Sequence, residues 1–368
     1  MSATATTSAP ALKEIFNRDR LRHIAEQTQA VYPAFASKRF LTLASAGLDE
    51  LSVMQRLARV SESLHATLPA DFVSALAILQ DLAPRLNSGF VSMCLPHYVA
   101  SYGRDDLELS LLALKFFTTF GSSEFAIRHF LVQDQDRTLA QMHEWATDDN
   151  EHVRRLASEG SRPRLPWSFR LPHLRAEPEL AWPILEALND DPSLYVRKSV
   201  ANHLNDISKD HPDWLLERLE NWPQDNPRTS WIIRHGLRSL IKQGDRRALA
   251  LLGAGEPAEV ELTALQVSPA KVHLGQSMTL SFTLKSTRNT PQRLVVDYAI
   301  DYVKASGKVA RKVFKLKTLD LAPGALVVLS RSQQIRELTT RKHYYGHHAV
   351  HVLVNGERLG SSGFDLIP

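Results

Sequence analysis

Two acidic residues stand where a cation-lined surface is expected, and they are the natural starting point for any chemistry. Between Val196 and Ile207 the apolar residues Val196, Val200, Leu204 and Ile207 group on one side of a helix at 100° per residue. Ser199, Asn202 and Asp206 follow at steps of three and four on another side, forming one polar stripe. Aligning this segment with Val153 and Ala157 places Glu159 in the register of Asn202, so Glu159 and Asp206 are expected to look out of adjacent helices toward one groove. Around them lie Arg154, Arg162, Arg164, Arg197, Lys198, Arg234 and Arg238. A positive wall suits phosphate, whereas a carboxylate facing a polyanion costs binding energy and needs a reason. Two reasons stay open at this point: a catalytic role, or pairing with neighbouring arginines on a solvated face. In Arg162-Pro163-Arg164-Leu165-Pro166-Trp167 two prolines stop a helix from continuing, which puts Trp167 on a stiff irregular connection. An indole there can pack on a sugar or a cationic base, or simply seal the loop.

The elements that must position these residues are helices. From about Ala11 to Gly253 apolar residues recur at three- and four-residue intervals, as in Phe72, Val73, Leu76 and Leu79 or in Leu109, Leu112, Ala113, Phe116 and Phe117. Breaks at Leu68-Pro69, Ala83-Pro84, Asp191-Pro192, His211-Pro212 and Trp222-Pro223 imply helices of about 10 to 20 residues. Branched aliphatic–arginine pairs recur at Ile127-Arg128, Val153-Arg154, Val196-Arg197 and Ile233-Arg234, at intervals of 26, 43 and 37 residues, and Asp148 and Asp191 each stand five residues before their valine. Periods of about 40 residues with this pattern indicate a HEAT-like α-helical repeat solenoid, whose hairpins bury their apolar faces only by stacking. Past Gly253 the pattern changes to short alternating strands at 262–265, 278–284, 294–300, 313–316, 326–329 and 349–354, with turn signals at Pro323-Gly324 and Asn355-Gly356. An immunoglobulin-like antiparallel β-sandwich without a cysteine pair follows. The expected organisation is a flexible N-terminus over 1–10, a helical repeat domain over 11–253, a linker over 254–261 and the β domain over 262–368.

Composition narrows the function. The chain has 368 residues and is 43% hydrophobic, long enough for two domains with cores of their own. No charged segment leads into an apolar one at the N-terminus, and no apolar run approaches the roughly 18 residues that a membrane span requires, so no membrane partner is expected and the cytoplasm is the expected address. The single cysteine, Cys94, can form no internal disulfide and reads as core filler. No HExxH occurs among the fifteen histidines, and His347 and His348 would point to opposite faces of a strand, so neither metal nor cofactor is expected. Residues 262–368 carry 15 Lys+Arg against 6 Asp+Glu, while the rest carries 29 against 34. A domain this basic suggests a polyanion partner, although some of these charges could serve only to blunt strand edges.

The ordered motifs carry a specific resemblance. Ser123-Glu124-Phe125-Ala126-Ile127-Arg128, then Val153 to Gly160 with Arg162 to Trp167, then Asp191-Pro192 and Val196 to Asp206 with His211-Pro212, closely resemble AlkC-type DNA glycosylases over essentially the full length. The resemblance implies hydrolytic excision of cationic methylated bases, mainly 3-methyladenine and 3-methylcytosine, from double-stranded DNA; a monomer that associates with the nucleoid when bound is expected. It implies catalytic carboxylates at Glu124, Glu159 and Asp206, with Trp167 beside the lesion and Arg154 close by. Glu124 rests on this resemblance, since after Ser122 and Ser123 it equally suits a helix first turn. Arg162, Arg164, Arg197, Lys198, Asn202, His203, Arg234 and Arg238 are expected along the DNA backbone. A base that already carries positive charge leaves without protonation, so the carboxylates would stabilise an oxocarbenium-like sugar and orient water. The resemblance also implies that the lesion is reached by bending the duplex, without an enclosed base pocket; such a bend costs about 1 to 6 kcal/mol and the basic β domain would help offset it. Rival readings are a DNA-binding relative without catalysis and a protein-interaction scaffold.

Overall fold

Short capped helices account for the first part of the chain. Asn150 begins the Glu151–Gly160 helix by accepting from the His152 amide, and Ser193 begins the Leu194–Ile207 helix by accepting from the Tyr195 amide. Each such cap is worth about 1 kcal/mol. Val153, Leu156 and Ala157 on the first helix and Val196, Val200, Leu204 and Ile207 on the second are fully or almost fully buried. Large apolar side chains contribute about 1.5 to 3 kcal/mol each on burial, which anchors both helices in the core, and the two lie directly against one another. The computed structural model describes residues 12–337 and 342–368, and the flexible N-terminus expected over residues 1–10 lies outside them.

Helices continue to Ala250 and strands begin at Val260. The chain divides into two compact units after Asp210, so the second unit contains the last four helices, from Pro212–Glu220 to Arg246–Ala250, together with the strands. Among the described residues no helix is long and apolar enough to cross a membrane. Cys94 is wholly buried, and burial pushes its thiol up to about 12.

The second unit holds strands β1 (Val260–Ser268), β2 (Lys271–His273), β3 (Ser277–Ser286), β4 (Gln292–Val303), β5 (Val309–Leu321), β6 (Leu326–Gln334), β7 (Gly346–Val354) and β8 (Glu357–Ile367). They form a three-stranded sheet in the order β1-β3-β6 and a five-stranded sheet in the order β2-β8-β7-β4-β5. The inward residues Leu280, Phe282, Tyr298, Val352 and Phe364 fill the core between them, doing with apolar burial what a disulfide does in antibody domains. The pairings are antiparallel except for β2 with β8, which is parallel. Strand β2 is too short to show an alternation, and in β8 it is confined to Phe364 and Leu366 at the end of the strand. In β8 two positions are glycine for want of space: a Cβ on Gly360 would stand 2.5 Å from Leu262 Cδ2, and one on Gly363 would stand 2.7 Å from the His347 ring. His347 and His348 do point to opposite faces of β7, His347 toward Asp365 and His348 stacked on Phe364.

Candidate active site

The repeated aliphatic–arginine pairs have a structural job. Arg154 donates Nη1 to the carbonyls of Asp148 and Asp149 at 2.8 and 2.9 Å, and Arg197 donates Nη1 to those of Asp191 and Pro192 at 2.8 Å each. Each guanidinium thus folds back on the turn in front of its own helix. Arg154 also grips Asp191 of the next repeat, through Nε at 2.7 Å and Nη2 at 3.2 Å. This ladder stiffens the stack that carries the acids.

The three carboxylates lie on one line of alternating charge. Glu124, in the turn before the Ile127–Gln133 helix, accepts from Arg155 Nη1 at 2.6 Å and from Ser122 Oγ at 2.8 Å. Arg155 Nη2 stands 3.7 Å from Glu159, Glu159 accepts from Arg162 Nη1 at 2.6 Å, and Arg162 Nε and Nη2 each reach Asp206 Oδ2 at 3.0 Å. Lys209 closes the line at 3.1 Å from Asp206 Oδ1. Burial works against the charge on Arg155 and on Arg162, but the carboxylates outweigh it and hold both guanidinium groups above the usual arginine range. The site is therefore a set of fixed charges in a partly dry setting, where their fields are stronger than in water.

Accessibility falls along the line. The side chain of Glu124 is 14% exposed, that of Glu159 8% and that of Asp206 3%. Glu124 and Arg155 line an open cleft of about 370 Å³ together with Phe90, Phe120, Phe125, His152, Trp167 and Tyr195. Tyr195 covers Arg155, its ring centre 4.8 Å from the guanidinium carbon. Trp167 is 63% exposed and has φ of 66°, a left-handed conformation that costs a non-glycine residue about 1 to 2 kcal/mol. The indole therefore stands exposed on a strained backbone at the edge of the charged cleft.

Glu124, Glu159 and Asp206 are thus joined in one line with Trp167 beside Glu124 at the cleft, and the arginines that touch the acids are Arg162 and Arg155, the latter one residue on from Arg154. Arg162 is buried between Glu159 and Asp206, and Arg164 makes two bonds to Asp210 at 2.7 and 2.9 Å. His203 is 1% exposed, donates Nδ1 to the Ser158 carbonyl at 3.1 Å, and is held neutral above about 4 chiefly by burial. Ser199 bonds Ser158, so the polar stripe of the Leu194–Ile207 helix faces the Glu151–Gly160 helix. Asn202 is half-buried on that stripe and Lys198 is exposed. Arg234 and Arg238 belong to the second unit, where Arg238 donates to the His235 carbonyl at 2.7 Å. Sequence reasoning missed Arg155 and Tyr195; the spacing of Arg155 four residues before Glu159 was the available signal for the former. Among the described residues no group of three or more His, Cys, Asp or Glu could hold a metal ion.

The chain thus carries helical repeats with a buried line of alternating charge and, after them, an immunoglobulin-like β-sandwich. Residues 115–240 match the family described as DNA alkylation repair enzyme, and residues 261–368 match the one described as "Uncharacterised protein YhaZ, C-terminal Ig-like domain". The chain is 66% identical to the Pseudomonas fluorescens alkylpurine DNA glycosylase AlkC, solved bound to DNA containing an abasic site analog; the likeness covers 98% of this chain and 100% of that one, with a TM-score of 0.95. It is also 44% identical over 356 residues to the Bacillus subtilis (strain 168) protein described as "Uncharacterized protein YhaZ", spanning 96% of this chain and 99% of that protein. The chain belongs to the AlkC family of alkylpurine DNA glycosylases.

Proposed function

We propose that this protein hydrolyses the N-glycosidic bond of cationic alkylated bases, 3-methyladenine and 3-methylcytosine, in double-stranded DNA, leaving an abasic site without cutting the strand. The observation that carries this reading is the line Glu124–Arg155–Glu159–Arg162–Asp206, with Glu124 opening onto the cleft beside Trp167. A cationic base departs as a neutral molecule, so the barrier lies in the positive charge that develops on the sugar. Glu124 is the carboxylate able to approach that charge and to orient the attacking water. Glu159 and Asp206 add negative field from behind, while Arg155 and Arg162 keep the three acids from repelling one another.

The cleft is open, with aromatic rings and no closed walls, which suits a base exposed by bending the duplex. The helical repeats over 11–253 carry this chemistry in our reading, and the basic residues of 262–368 supply affinity for the phosphate backbone. Arg154 acts by supporting the repeat that bears Glu159, and the remaining basic candidates Arg162, Arg164 and Arg197 act by fixing the same frame. Lys198, by contrast, is exposed and in our reading faces the phosphate backbone. We place the protein in the cytoplasm as a monomer, at the nucleoid when bound.

The test is release of base from duplexes carrying 3-methyladenine, 3-methylcytosine or 7-methylguanine, with borohydride added in parallel. Release of the 3-methyl bases without a trapped covalent adduct is the expected result. An adduct through one lysine would contradict the hydrolytic route, and tight salt-dependent binding without release would mark a non-catalytic relative.

A further inference from the structure

Arg128 occupies the place in its repeat that Arg154 and Arg197 hold in theirs, yet it is turned to another task. Those two return to the turn before their own helix; Arg128, on the Ile127–Gln133 helix and 0% exposed, reaches forward instead. Its Nη1 donates to the Gly160 carbonyl at 3.0 Å and the Arg162 carbonyl at 2.6 Å, and its Nη2 donates to the Phe169 carbonyl. The Phe169 ring lies 5.4 Å from the guanidinium carbon. Gly160 closes the helix that carries Glu159, and Arg162 and Phe169 stand on either side of Trp167. One guanidinium therefore ties the end of a catalytic helix to both arms of the Trp167 loop.

Burying this group is costly: burial first, then repulsion from Arg162, pushes its pKa down to about 10. A leucine would fill similar space without that cost, but it could not donate to three carbonyls on two sides of a loop. The loop also needs holding, because Trp167 at φ of 66° would relax toward an ordinary conformation if its arms were free. Close approach on the same side is built in at Gly160, where a Cβ would stand 2.5 Å from Ile127 Cγ2.

We infer that Arg128 is a positioning residue, which fixes the Trp167 loop against the Glu159 helix so that indole and carboxylates meet the same nucleotide. The inference rests on the glycosylase reading above. Arg128→Lys keeps the charge, but one ammonium cannot reach carbonyls at both arms. Single-turnover base release per folded molecule should fall at least about tenfold, with duplex affinity little changed. In a Trp167→Ala background the same substitution should cost less than about twofold, because the loop no longer carries the group that Arg128 positions. Equal falls in both backgrounds would overturn the inference and leave Arg128 a structural residue. A readout independent of activity is the fluorescence of Trp167 itself, taken as the difference between each protein and its Trp167→Phe partner. Arg128→Lys should shift that difference spectrum and increase its quenching by acrylamide. If the parent releases no base the glycosylase reading fails, whereas an unchanged Trp167 signal defeats the positioning role whatever the activity. Phe169→Ala, at a half-exposed position, serves if Arg128→Lys does not fold; it should move the Trp167 signal in the same direction by less, and no movement counts against the inference.

Discussion

Replacing Asp206 by Asn separates scaffold from chemistry, because the residue is committed to both. Its side chain is 3% exposed, Oδ2 takes Arg162 Nε and Nη2 at 3.0 Å each, and Oδ1 takes Lys209 at 3.1 Å. Removing one partner of a buried pair commonly costs about 3 to 5 kcal/mol because the other is stranded. Here Arg162 keeps Glu159 at 2.6 Å and an asparagine oxygen can still accept one bond, which brings the expected cost to about 1 to 3 kcal/mol. For a unit of this size that is a fall in Tm of roughly 2 to 12 °C. Duplex affinity should hold or tighten, since a negative charge is removed near phosphate. Base release should fall by more than about tenfold per folded molecule, as expected when a fixed charge stabilising the transition state is removed. The assay is single-turnover release well below Tm, with the folded fraction measured on the same preparation. A lowered Tm with release within about twofold of the parent would show that Asp206 is only a partner for Arg162.

Trp167→Gly relieves the left-handed backbone while Trp167→Ala does not, so the glycine variant should be about 1 kcal/mol more stable than the alanine one, with release impaired in both; equal Tm values would remove the strain argument. Burial raises the Asp297 carboxyl from 3.8 to about 6, against the pull of Lys315 and Lys242. The folded state then binds the proton more tightly than the unfolded one, so stability should rise as pH falls from about 6 toward 4, and Asp297→Asn should stabilise the protein at pH 8 by up to about 3 kcal/mol and flatten that slope; a Tm that falls at pH 8 would refute it. Lys304, Lys308 and Lys317 are exposed on β5 or the turn leading into it, and changing all three to Gln should reduce the salt dependence of duplex binding by about 0.9 in logarithmic slope for each phosphate that is no longer neutralised; an unchanged slope would take this strand out of the DNA interface.

How much of this could be read in the sequence depended on whether a residue's role was set locally. The Asp148/Val153/Arg154 and Asp191/Val196/Arg197 spacings announced the repeat because each arginine returns to its own turn, a local interaction that leaves a fixed interval. Periodicity also separated the polar stripe of Ser199 and Asp206 from the apolar one, yet could not say that the polar stripe faces another helix. Within a helical stack both sides are covered, and polar groups that satisfy one another leave no hydrophobic trace. Arg154 and Arg155 are neighbours in sequence but about 100° apart around a helix, which is why one supports the stack and the other meets Glu124. Glu124 lies in a turn, where no period applies, and only resemblance pointed to it. Strand β8 escaped notice because Gly360 and Gly363 are there to admit neighbours from other strands, a demand that arises only after the sheet has formed.

Glu124→Gln neutralises the carboxylate that opens onto the cleft and, in our reading, drives cleavage of the glycosidic bond. Glutamine preserves the shape and the bond from Ser122, and Arg155 keeps Glu159 as a partner. Single-turnover release of 3-methyladenine from a defined duplex should fall about 10²- to 10³-fold, the usual effect of removing one preorganised electrostatic group, while binding to the same duplex is retained. Release by folded Glu124→Gln at close to the parent rate would show that this carboxylate does not drive cleavage.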